Sequence, residues 1–181
     1  MGKAVWCAAV AAGLLSGCGG GTARTPAPDP DDRARPQAPW AGSRLDASAV
    51  PAVYVTEWRQ ANNRATCALI APVTSGQPDA TPRAATFSGG WAVAYDIPGL
   101  RSAFGVAGTG ASASGDVYDG WPNHIDWSDG SSAGYGPEGG TGPNQLAYVQ
   151  IAGQQCLYNV WSRLGVDHLE WLIAQLRFVD G

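Results

Sequence analysis

Residues 91–108 constrain the fold more than any other stretch, because they read as two strands joined by a tight turn. In "WAVAYD", Trp91, Val93 and Tyr95 share one face, and Ala92 and Ala94 the other. Ile97-Pro98-Gly99 follows as a turn: proline fixes φ, and glycine tolerates a positive φ. "SAFGVAG" then returns with Phe104 and Val106 on one face. A connection this short joins antiparallel strands. A second hairpin, "LAYVQI" and "QCLYNVWS", turns about Gly153. Cys156, Tyr158 and Val160 lie on one face of its second strand, and Leu157 and Trp161 on the other. Both faces are apolar, which suits a central strand.

Helical patterns flank these strands. In "AVPAVYVTEWRQANN", Val50, Val53, Tyr54, Trp58 and Ala61 fall near helical spacing, although "VYVTEW" also alternates. The segment 50–62 is read as a helix broken by Asn62-Asn63. "RATCALIAP" reads as a strand ending at Pro72, and "TSGQPDATPR" as a loop. After Gly165, Leu169, Leu172, Ile173 and Leu176 form one apolar helical face. Asp167 and Glu170 have capping-box spacing, and Arg177 suits the helix C-terminal dipole. His168 falls on the polar side of the first turn, as a surface residue. The expected class is α+β: a two-layer antiparallel sheet of about five strands, with a C-terminal helix and one N-terminal helix packed on it.

The first 39 residues have a different character. Met1-Gly2-Lys3 carries a positive charge and leads into an apolar run at 4–15. That run is too short to span a bilayer as a helix, which takes roughly 20 residues; it fits the core of a secretory signal. It ends in Leu15-Ser16-Gly17-Cys18. This stretch resembles the lipobox of bacterial lipoproteins, and the resemblance covers residues 1–18 alone. It implies removal of a signal peptide at 1–17, a diacylglycerol thioether on Cys18 and acylation of the new N-terminus. Several acyl chains together make stable anchoring in a membrane. In a cell with two membranes, Gly19 in place of an aspartate implies the outer membrane, facing the periplasm. Residues 18–39 lack apolar periodicity and read as a Pro-, Gly- and Asp-rich tether. A single globular domain is expected at 40–181.

Composition excludes several classes of chemistry. Lys3 is the only lysine, so the domain has no Schiff-base lysine and no P-loop lysine. The net charge of −4 argues against nucleic acid as a partner. No cofactor motif stands out; "GVAGTG" is not followed by a helical pattern. With Cys7 in the signal and Cys18 lipidated, Cys67 and Cys156 remain. In an exported domain they are most simply one disulfide, worth roughly 4 kcal/mol in the chain-entropy model.

The stretch 109–144 reads as a long Gly-, Asp- and Trp-rich loop. Between Arg101 and Arg163 it carries Asp116, Asp119, Asp126, Asp129 and Glu138 with no Lys or Arg. Loops this long are usually functional or disordered, and the aromatic content argues against disorder. The candidate binding residues are Tyr118, Trp121, His124, Asp126, Trp127, Asp129 and Tyr135. The aromatic rings would serve as stacking platforms for a glycan, and the polar groups as hydroxyl partners; an envelope protein is the other candidate partner. A structural loop whose aspartates cap turns accounts for the same residues. A calcium-stabilised glycan-binding module is a further reading, although EF-hand spacing is absent. So is a small envelope hydrolase using His124 and nearby carboxylates, with Ser112 or Ser114 as nucleophile or Asp116 and Asp119 as an acid pair. The favoured expectation is a membrane-anchored, non-catalytic envelope protein with a binding or structural role.

Overall fold

The computed structural model describes residues 35–87, 89–110, 120–140 and 143–181. The signal peptide, Cys18 and the tether up to 34 lie outside the described residues, as do Ser112, Ser114, Asp116, Tyr118 and Asp119. Among the described residues, ten strands form two sheets. The small sheet has β1 (Leu45–Asp46), β2 (Ile70–Pro72) and β10 (Leu176–Asp180), in the order β1-β10-β2. The large sheet has β3 (Thr81–Ala84), β4 (Trp91–Ile97), β5 (Leu100–Gly108), β6 (Asn123–Asp126), β7 (Ser132–Pro137), β8 (Gln145–Gln150) and β9 (Tyr158–Ser162). Its order is β3-β4-β5-β9-β8-β7-β6, antiparallel throughout.

Both expected hairpins are present, β4–β5 and β8–β9. Val93 sits opposite Val106 and Tyr95 opposite Phe104. Strand β9 lies at the centre of the large sheet, as its two apolar faces suggest. The estimate of about five strands is corrected upward. Three of the additional strands come from stretches read as loop. Thr81–Ala84 joins the sheet as an edge, where Pro82 is tolerated. Residues 123–126 and 132–137 form β6 and β7, so the described part of 109–144 includes a hairpin of the large sheet. The alternation there is hidden by glycine: β7 reads "SAGYGP", with Ala133 and Tyr135 inward and Gly134 and Gly136 outward.

One face of the large sheet is covered by α1 (Ala52–Gln60) and α2 (Val166–Gln175). Helix α1 packs on β3 and β4, and α2 on β8 and β9. Tyr54 of α1 is fully buried against Trp91 and Tyr95. Leu169, Leu172 and Ile173 of α2 are buried as expected. Leu176 and Arg177 are not helical: the helix stops at Gln175 and the chain continues directly into β10, where Leu176 pairs with Pro72. The expected capping box is also absent. Gly165 is the N-cap, and Asp167 lies inside the first turn. Residues just before Trp40 also pack on the domain: Ala38 is buried, and the Ser128 N–H donates to the Pro36 carbonyl.

Cys67 and Cys156 form a disulfide, with Cα atoms 5.4 Å apart. It ties the segment after α1 to the start of β9. Beside it, Tyr158 O–H donates to the Ala68 carbonyl at 2.9 Å, and Trp58 Nε1–H to the Cys67 carbonyl at 2.9 Å. Gly108 is required here: a Cβ on it would lie 2.6 Å from Cys67 Sγ and 2.6 Å from Trp91 Nε1. The Cys67→Ser/Cys156→Ser double variant should lose about 4 kcal/mol of unfolding free energy in urea. An unchanged midpoint would mean that the bridge constrains a part of the chain already held by other contacts.

Candidate functional site

Among the described residues no helix packs on the other face of the large sheet, and cavities cluster there. By register, Ala92, Ala94, Gly105, Ala107, Gly134 and Gly136 share this outer face with Asn159, Trp161, Leu146 and Tyr148. Ala92, Ala94 and Ala107 are fully buried beneath this face, and the larger residues Asn159, Trp161, Leu146 and Tyr148 line its clefts. Phe87 and Trp161 stack in parallel, with centroids 6.4 Å apart. Trp161 lies so close over Gly105 that a Cβ there would meet its ring at 2.2 Å. Trp121 stands edge-on to Tyr148 at 5.4 Å, while Pro122 fills the space above Gly136.

Three adjoining clefts result, of about 460, 590 and 640 Å³, and Tyr148 borders all three. These are sizes typical of ligand sites. The central one is lined by Phe87, Leu146, Tyr148 and Trp161, with Asn144 and Asn159 between them and Glu138 and Arg163 at the rim. One acid and one base leave it without net charge. Asn159 belongs to both the first and the central cleft. It is 8 % exposed, and its side-chain oxygen is buried with no hydrogen-bond partner. Asn144 Oδ1 is also buried and unpartnered, while its Nδ2 donates to Glu138 Oε2 at 3.3 Å. Ser102, at one end of the cleft, holds a φ of 50°. Asp96 fixes it there by accepting from the Ser102 N–H at 2.7 Å. That bond, then Arg83, holds the Asp96 carboxyl below the usual carboxylate range.

The residues expected to bind are dispersed. Trp127 and Tyr135 are core residues and do not line this trough. Trp127 packs edge to face on Trp40 at 4.8 Å. Tyr135 faces α2 and donates to Glu170 Oε1 at 2.7 Å; desolvation and then that carboxylate push its phenol up to about 12. Asp129 is structural, accepting from Trp40 Nε1–H and the Ser131 N–H, each at 2.9 Å. His124 and Asp126 are exposed on the edge strand β6. Of the seven, Trp121 alone reaches a cleft wall, and Tyr118 lies outside the described residues. Among the described residues no group of three or more His, Cys, Asp or Glu side chains could hold a metal ion.

His168 is corrected from a surface residue to a half-buried one. Its ring lies between Phe104 and Trp171. Nδ1 is 3.0 Å from Ser162 Oγ, and Nε2 is buried without a partner. Burial lowers its proton affinity below that of a free histidine. The unfolded chain therefore binds this proton more readily than the folded one. Stability from this group is complete above a pH of about 6.5 and falls as pH drops through that value toward the lowered native one. Urea unfolding of the wild type between pH 7.5 and 5 should show that loss, and His168→Gln should flatten it. An equal slope in the variant would place the titration elsewhere.

No protein-family model, curated protein or solved structure matches the chain.

Proposed function

We propose that this chain is a lipid-anchored protein of the bacterial envelope that binds a ligand, without catalysis, on the outer face of its seven-stranded sheet. The observation that carries the binding site is Asn159. A polar group on a central strand, nearly out of reach of water and without a partner for its oxygen, costs about 1–3 kcal/mol. Native proteins pair almost all such groups. Asn159 lines two of the clefts, and half a turn of its amide would bring that oxygen to a bound ligand.

The anchor rests on the lipobox resemblance at 1–18. Among the described residues no helix is long and apolar enough to cross a membrane, and the lipid on Cys18 is the attachment we infer. The Cys67–Cys156 bridge is consistent with export to an oxidising compartment. Cys18→Ser should release the chain from the membrane fraction, and full retention would remove the anchor from the reading.

Hydroxyl-radical footprinting tests the site without a named ligand. Oxidation of Trp161 and Tyr148 should be several-fold slower in isolated native envelopes than in the purified full-length protein. Trp58 and Trp171, on the helical side, should react equally in both. Equal rates at Trp161 and Tyr148 would remove the outer face as a binding surface.

A further inference from the structure

Resting on that outer-face site, we infer that its ligand is a neutral oligosaccharide, held in the central cleft between the Phe87–Trp161 stack, Tyr148 and the two asparagines. The chemistry of the unpartnered groups selects this class. Asn159 Oδ1 and Asn144 Oδ1 both lack a donor. Half a turn about the last torsion of an asparagine exchanges its oxygen and nitrogen, because that torsion is broad and two-fold. The amide can then face a ligand as acceptor or donor, and a hydroxyl answers both.

The walls select the same class. A pyranose ring has an apolar face of C–H bonds and a rim of hydroxyls. Its slightly positive C–H hydrogens fit the negative face of an aromatic ring. The cleft pairs these features: Phe87, Trp161, Leu146 and Tyr148 supply apolar surface, and Asn144 and Asn159 lie between them. Glu138 and Arg163 oppose one another in charge, so a strongly anionic or cationic ligand gains nothing overall. A volume of about 590 Å³, with Tyr148 shared by two further clefts, suits an extended chain of sugar rings better than a single small molecule.

A proline-rich peptide is the main competitor, because such peptides also dock in aromatic grooves. It fits the walls but answers the asparagines less fully. Proline has no N–H, so its segments meet an amide only as carbonyl acceptors, whereas a sugar hydroxyl both donates and accepts.

The test uses the full-length protein in a zwitterionic detergent, since sugar-headed detergents would compete. Calorimetric titration with a panel of neutral tetrasaccharides, built from N-acetylglucosamine, glucose, mannose or galactose, is compared with a proline-rich decapeptide. At least one tetrasaccharide should bind. Asn159→Leu should weaken it at least tenfold, and Asn144→Ala, nearer the rim, several-fold, with near-UV circular dichroism unchanged in both. Saccharide binding untouched by either substitution would overturn the assignment to this cleft. Peptide binding that Trp161→Ala abolishes, with no saccharide bound, would replace the sugar with a peptide. If no saccharide binds while Trp161 and Tyr148 remain protected in native envelopes, the sugar class falls and the outer-face site stands.

Discussion

Strand β9 meets two environments at once, and the rest of the structure is arranged around that constraint. Toward the helices it presents Tyr158, Val160 and Ser162, which pack into the core or bond to it. Just ahead of the strand, Cys156 locks to Cys67, while Tyr158 reaches the Ala68 carbonyl. These contacts fix the middle of the sheet against the segment that follows α1. With β5 on one side and β8 on the other, β9 has no freedom to slide. A one-residue slip would carry Asn159 into the core and Tyr158 out of it. The position of the outward residues Asn159 and Trp161 is thus set by inward contacts.

The outer face has a different logic. A core is filled by matching large residues with small ones until no space is left. Here the small residues of β4, β5 and β7 are covered, and the clefts lie among the larger side chains above them. Trp161 and Pro122 occupy the space above Gly105 and Gly136, and the clefts remain between them. Rigid rings standing on a rigid sheet lose little entropy when a flat ligand settles against them. Asn159, with Asn144 beside it, is a feature of this face that neither packing nor hydrogen bonding within the described residues explains.

The sequence made the central architecture legible where period-2 alternation was carried by side chains. Trp91, Val93 and Tyr95 announced β4, and the double apolar face of "CLYNVWS" announced the central place of β9. Strands β6 and β7 were hidden, because Gly134 and Gly136 erase alternation by having no side chain. Aspartates at 126 and 129 read as loop chemistry when they flank a tight hairpin turn. The end of α2 was misplaced because Leu176 continues the helical spacing while being held by β2 in another sheet. For the site, aromatic and acidic content drew attention to 116–138, yet Trp127 and Tyr135 turned inward. The better signal lay elsewhere in the chain. Asn159 interrupts an otherwise apolar central strand, and a polar residue at such a position asks what it is for.

That question has a direct measurement: the equilibrium unfolding free energy of Asn159→Leu against the wild type, without ligand. Leucine has the same branching and the same number of side-chain heavy atoms, and carries no group that needs a partner. If the amide is kept for a ligand, removing it relieves an unmet hydrogen bond. The variant should then be as stable as the wild type or more stable, by up to about 2 kcal/mol. A loss of about 2 kcal/mol or more would show that the fold itself relies on this amide, and would contradict the assignment of the outer face as a binding site.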